Sequence, residues 1–143
     1  MTTIRQILAR KADIYSVPPQ ATIYDALREM ADRNIGALLV LRESEIVGIF
    51  SERDYARKVA LLGKSSRDTP VGEVMTTKVV TIDPDRTAAE CMVLMTAGRF
   101  RHLPVVEGGR LVGLISIGDV VRAVVEEQEF TIKQLESYLT SGG

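Results

Sequence analysis

The segment Gly48-Ile49-Phe50-Ser51-Glu52-Arg53-Asp54 recurs 65 residues later as Gly113-Leu114-Ile115-Ser116-Ile117-Gly118-Asp119. Sliding the chain by that step aligns residues 15–57 with 80–122 without a gap, and ten of the 43 positions are identical. Ordinary residue frequencies give about two or three by chance. The identities include Pro19/Pro84, Thr22/Thr87, Met30/Met95, Leu38/Leu103, Val40/Val105 and Arg57/Arg122. Most other pairs keep apolar character, as in Val17/Ile82, Ala26/Cys91 and Phe50/Ile115. The chain is therefore read as an internal duplication, which governs every later assignment.

Each copy reads in the same order. A short strand comes first, around Ile14–Val17 and Val79–Ile82. Thr22 and Thr87 have an acid three residues on, the pattern of a helix N-cap. The helices they open run to about Asp32 and Ala97, with Ile23, Ala26, Leu27 and Met30 on one face. Two strands follow, Ala37–Leu41 with Ile46–Phe50 and Leu103–Val106 with Leu111–Ile115. Glu107-Gly108-Gly109-Arg110 is a strong hairpin turn, whereas Arg42-Glu43-Ser44-Glu45 lacks glycine. A second helix starts at Ser51 or Ser116, so each unit is β-α-β-β-α. Val71-Gly72-Glu73-Val74-Met75 repeats the apolar spacing of Ile4-Arg5-Gln6-Ile7-Leu8 at a step of 67, so each repeat has a lead-in helix and the first has two extra residues before its strand.

The expected organisation is a first repeat with lead-in over 1–62, a polar linker over 63–70, a second repeat over 71–125, and a C-terminal amphipathic helix and frayed tail over 126–143. Neither half buries enough surface to stand comfortably alone. The expected fold is α/β, with two β-α-β-β-α repeats packed about a pseudo-two-fold axis.

Composition narrows the function classes. The chain has 143 residues with 18 basic and 19 acidic groups, a net charge of −1. That balance argues against broad electrostatic binding of nucleic acid, and no predicted helix has a dense basic face. No apolar run approaches the roughly 20 residues of a membrane span. The N-terminus lacks the apolar core of a signal peptide. One cysteine, Cys91, and one histidine, His102, exclude an internal disulfide and argue against structural zinc. A cytoplasmic location is expected. Cys91 and the methionines Met30, Met92 and Met95 read as core side chains.

The duplicated Ser-x-x-Asp sits where a strand passes into a helix. Free backbone N–H groups and a positive dipole end favour an anion there. A serine hydroxyl adds a donor and an acceptor, and a carboxylate three residues on can accept both hydroxyls of a cis-diol. The same spacing is also a capping box, and the glycine can simply permit close packing.

The ordered pattern resembles a tandem pair of cystathionine-beta-synthase (CBS) domains, a Bateman module. Arg101-His102-Leu103-Pro104-Val105-Val106 and Val71-Gly72-Glu73-Val74-Met75-Thr76 add to the resemblance, which covers about residues 4–125. It implies a non-catalytic regulatory module that binds an adenosine ligand between the repeats: AMP, ADP, ATP, S-adenosylmethionine or NAD. It implies that Asp54 and Asp119 accept a ribose diol, that Ser51 and Ser116 contact ribose or phosphate, and that Val17, Ala37, Ile82 and Pro104 enclose adenine. Basic residues at 101 and 102 approach the phosphates in this family, so the best-equipped site joins Arg101 and His102 to Ser51, Arg53 and Asp54. The matching Gly36-Ala37 leaves the Ser116–Asp119 site with less charge. No metal or catalytic cofactor is implied. The expected partners are the adenosine ligand, a second copy of the chain and a downstream protein that the sequence does not name. The competing expectation is a dimerising interaction module with a vestigial nucleotide site.

Overall fold

The computed structural model describes residues 1–11 and 13–141. It divides the chain into two compact units, one of Asp13–Val80 and one of Met1–Ala12 with Thr81–Gly143. Chain order puts the first lead-in helix, α1 (Ile4–Leu8), ahead of the first repeat, but in space it completes the second. The reason is a set of backbone hydrogen bonds. Ile4 N donates to Arg86 O, Arg5 N to Pro84 O, and Ala88 N to Thr2 O, at 2.9, 2.9 and 2.8 Å. The same three bonds recur in the other unit, from Val71 N to Ala21 O, Gly72 N to Pro19 O and Ile23 N to Thr69 O, at 2.7, 2.9 and 3.0 Å. The second lead-in, a 3₁₀ turn over Val71–Glu73, thus completes the first repeat.

In the Asp13–Val80 unit, β1 (Ser16–Val17) pairs parallel with β2 (Ala37–Arg42), which pairs antiparallel with β3 (Glu45–Ser51). Helix α2 (Ile23–Arg33) lies between β1 and β2 in sequence. Thr22 caps it by accepting from Asp25 N at 3.1 Å. Its residues Ile23, Ala26 and Met30 are buried with Leu38, Val40 and Phe50 of the strands and Val71 and Val74 of the lead-in. That is the i, i+3, i+7 stripe expected of an amphipathic helix. After β3, α3 (Glu52–Asp54) widens at once into a π-helical stretch, Tyr55–Ala60, which contributes Val59 to the core. The glycine-free hairpin turn is made by Glu43, whose φ is 58°.

The other unit repeats the plan. Thr87 and Glu90 form a full capping box on α4 (Ala88–Gly98), whose Ala88, Cys91 and Met95 are buried. Strands β4 (His102–Glu107) and β5 (Arg110–Ser116) form a hairpin closed by Gly108 and Gly109, both at positive φ. Both hairpins shift register at the equivalent place, Val40/Leu41 and Val105/Val106. The strand expected over Val79–Ile82 shrinks to a single parallel bridge, Ile82 to Val105. A second difference concerns the C-terminus. The helix expected from Ser116 and the separate one expected over Glu126–Leu139 are one continuous 25-residue helix, α5 (Ile117–Ser141). No glycine or proline follows Gly118 before residue 142 to break it. Of the frayed tail expected over Thr140–Gly143, Thr140 and Ser141 are helical and 142–143 lie outside the described residues. Among the described residues no helix is long and apolar enough to cross a membrane.

Candidate functional site

Each unit builds a corner where the hairpin's second strand enters a helix. In the Asp13–Val80 unit, Ala37 lies opposite Ser51 in the β2–β3 ladder, and Glu52 N donates to Gly36 O at 3.1 Å. In the other unit, His102 lies opposite Ser116, and Ile117 N donates to Arg101 O at 2.8 Å. The hairpin's first residue is thereby fixed beside the serine in both. Directly opposed residues of an antiparallel pair share a face, so His102 and Ser116 do too.

At the first corner the Asp54 carboxylate is buried and fully engaged. Its Oδ2 accepts from Ser51 N at 3.0 Å and Ser51 Oγ at 3.1 Å, while Asp54 N donates back to Ser51 Oγ at 3.1 Å. The capping box is therefore real. Oδ1 faces the other way. It accepts the Thr76 hydroxyl at 2.9 Å and lies 3.2 Å from Lys58 Nζ. The carboxylate is thus held rigidly through one oxygen and already receives a hydroxyl on the other. Arg53 projects into solvent and Val17 is half-buried.

At the second corner Asp119 Oδ2 accepts from Ser116 N at 2.9 Å, and Asp119 N donates to Ser116 Oγ at 3.2 Å. Lys11 Nζ lies 2.6 Å from the same Oδ2, and Arg122 lies 4.0 Å from Oδ1. Burial pushes the Asp119 carboxyl up, but the bonds from Lys11 and Ser116 outweigh it, so the group sits below the ordinary aspartate value. Burial pushes His102 down, the Lys11 charge adds to that, and Asp119 opposes it, leaving the imidazole neutral more readily than usual. Ile82 and Pro104 meet in the same unit, where Ile82 N donates to Pro104 O at 3.0 Å.

Of the residues expected at a site, Val17, Ala37, Ser51, Arg53 and Asp54 belong to one unit and Ile82, Arg101, His102, Pro104, Ser116 and Asp119 to the other. The sequence reading left the Ser116–Asp119 corner short of charge. Within its own unit that corner is instead surrounded by Lys11, His102 and Arg122. Sequence reasoning missed Lys11, Lys58 and Thr76. Lys58 was visible as the i+4 partner of Asp54. Thr76 and Lys11 come from lead-ins whose fold-back is set by long-range pairing. Among the described residues no group of three or more His, Cys, Asp or Glu is placed to hold a metal ion.

Comparison with known proteins places this geometry. The family profile described as CBS domain matches residues 4–61 and 71–126. The chain is 43% identical over 126 residues to the CBS domain-containing protein CBSX3, mitochondrial, of Arabidopsis thaliana, covering 85% of this chain and 61% of that protein. It spans about a quarter of several larger Arabidopsis CBS proteins, such as CBSCBSPB5 at 24%. A solved structure of a protein with CBS domains from Burkholderia ambifaria MC40-6 superposes with a TM-score of 0.85 at 51% identity, covering 89% of this chain and 96% of that one. The crystal structure of CBSX2 in complex with AMP is similar in fold, with a TM-score of 0.73 at 24% identity, covering 90% of this chain and 99% of that one.

Proposed function

The chain belongs to the CBS-domain family as a tandem pair, a regulatory module, and from that premise we propose that it senses an adenine nucleotide by binding without turnover. The observation that carries the reading is the duplicated, rigidly capped carboxylate. Asp54 and Asp119 are each fixed by the serine three residues before, at equivalent positions of the two repeats. Asp54 Oδ1, the oxygen turned away from the cap, accepts the Thr76 hydroxyl beside the Lys58 ammonium, so a ribose hydroxyl can take that hydroxyl's place. For adenine the reading draws on Val17, which is half-buried, and on Ala37, Ile82 and Pro104, which are buried and would have to be uncovered by the ligand. Ser51, Arg53, Arg101, His102 and Ser116 supply donors for ribose and phosphate. The AMP complex of the fold-mate CBSX2 supports the adenine nucleotide class, with AMP, ADP, ATP and NAD as candidates.

Calorimetry with AMP, ATP and NAD tests the reading. Binding is expected, weakened about tenfold by Asp54→Asn through loss of the charged acceptor. Folded protein that takes up none of the three at millimolar ligand overturns it. Arg101→Ala should penalise ATP more than adenosine, and equal losses contradict the phosphate role. A signal requires that the ligand bind two states of the module unequally, and its recipient is a downstream protein. A reducing compartment such as the cytoplasm suits the unpaired, buried Cys91.

A second observation favours self-association as well. Val121, Val125, Gln128, Ile132, Leu135 and Leu139 follow each other on α5 at alternating steps of four and three. All six are exposed. That is the a/d seam of a coiled coil, whose 3.5-residue period matches a helix carrying the same period. We propose that a second copy of this helix covers it. Sedimentation should show a dimer that Leu135→Glu dissociates, and a monomer at all concentrations refutes the proposal.

A further inference from the structure

We infer that the two corners fill in a fixed order: the Asp119 corner takes the ribose diol first, and Lys58 and Thr76 hold the Asp54 corner back. The inference rests on the nucleotide reading above and concerns which of its two carboxylates is open. Each carboxylate has one oxygen on its capping serine and each carries one ammonium, but the ammonium sits on a different oxygen. At Asp54 the capped oxygen is Oδ2. The outward Oδ1 accepts the Thr76 hydroxyl at 2.9 Å and lies 3.2 Å from Lys58 Nζ. Both partners are themselves anchored. Thr76 and Ile49 exchange backbone bonds of 2.8 and 2.9 Å, and Lys58 Nζ donates to Val74 O at 3.2 Å.

At Asp119 the Lys11 ammonium lies 2.6 Å from Oδ2, the oxygen that already accepts from Ser116 N. The outward Oδ1 has only Arg122 near it, at 4.0 Å, which is beyond hydrogen-bond reach. Among the described residues no buried side-chain oxygen lacks a partner, so this unbonded oxygen is open to solvent. The sequence explains the difference. At the step of 65, Lys58 corresponds to Ala123, and at the step of 67 that relates the lead-ins, Thr76 corresponds to Ala9. Two alanines thus stand where the other repeat has the two side chains that cover the outward oxygen. Arg122 is the counterpart of Arg57, and its side chain is 65% exposed.

The chemistry follows. A hydroxyl arriving at Asp119 Oδ1 gives up only solvent and meets a carboxylate already held in place through Oδ2, so little ordering remains to be done. A hydroxyl arriving at Asp54 must first displace that of Thr76, and a hydrogen bond to a charged acceptor is of the stronger kind. The Asp54 corner, which the sequence marks as the better equipped, is therefore the second to fill.

Calorimetric titration with AMP tests the order. Asp119→Asn should weaken the tighter of two binding steps about tenfold, and Asp54→Asn the looser one. A single resolved step counts as the tighter. Thr76→Val removes the hydroxyl at nearly constant shape and should tighten the looser step about fivefold, or bring it into range, while Thr76→Ser restores the gap. Matching melting temperatures exclude misfolding as the cause, and Lys58→Met makes the same test if Thr76→Val does not fold. A tighter step that loses as much to Asp54→Asn as to Asp119→Asn overturns the inference, as does a looser step indifferent to uncovering Asp54. Either result leaves the nucleotide reading intact. Absence of AMP binding to the unmutated protein overturns both.

Discussion

Gly48 and Gly113 occupy the same position of the two repeats, yet replacing each with alanine should have unequal cost. A Cβ on Gly48 meets Met75 Sδ at 2.5 Å and Cγ at 2.8 Å, and Thr76 O at 2.9 Å. The methionine tail can move aside, but the carbonyl belongs to a backbone pair in which Ile49 and Thr76 exchange hydrogen bonds of 2.9 and 2.8 Å. A Cβ on Gly113 meets only the tip of Leu8, at 2.6, 2.9 and 3.3 Å, and a side-chain tip can turn. Overpacking costs about 1–3 kcal/mol, and straining the two backbone bonds adds up to about 1 kcal/mol each. Removing glycine's freedom from the unfolded chain returns about 0.4–1 kcal/mol. Gly48→Ala should therefore cost about 2–3 kcal/mol and Gly113→Ala about 1 kcal/mol. At about 4 °C per kcal/mol for a chain of this size, the melting temperatures should differ by about 6 °C, as read by circular dichroism. Equal losses, or a larger loss at Gly113, would refute the reasoning.

Arg99 ends α4 with φ at 58°, so Arg99→Gly should raise stability by about 1 kcal/mol in urea unfolding; a loss would contradict the assignment. Burial lifts the Cys91 thiol to about 11, so native protein at pH 8 should resist iodoacetamide while urea-unfolded protein reacts fully. His102 is held below 6.5 in the fold, so the unfolded chain takes up its proton first and stability should fall as pH drops below 6.5. His102→Gln should flatten that part of a pH–stability curve. Asp119 is held below 3.8, so its contribution is present above about pH 4 and lost on further acidification, and Asp119→Asn should remove that step.

The repeat made much of this fold legible. The Thr22 and Thr87 caps, both hairpins and the buried Met30, Cys91 and Met95 follow from local pattern and period. What the sequence concealed is non-local. The resemblance of Ile4–Leu8 to Val71–Met75 revealed two lead-ins but not that each completes the other repeat, because backbone pairs such as Ile4–Arg86 have no side-chain signature. The same blindness hid Thr76 at Asp54 and Lys11 at Asp119. The continuous α5 escaped because Glu126, Glu127 and Glu129 interrupt its apolar character without interrupting its helix. The Ser-x-x-Asp motif was legible as both cap and acceptor, and at Asp54 the two carboxylate oxygens divide those roles.

On the proposed function, the Asp54 and Asp119 carboxylates hold a ribose diol. Titrating the protein with AMP and with its 2′,3′-dideoxy analogue measures that directly, since the two differ only in the hydroxyls. The analogue should bind at least about tenfold more weakly, and equal affinities would show that the carboxylates do not hold the diol.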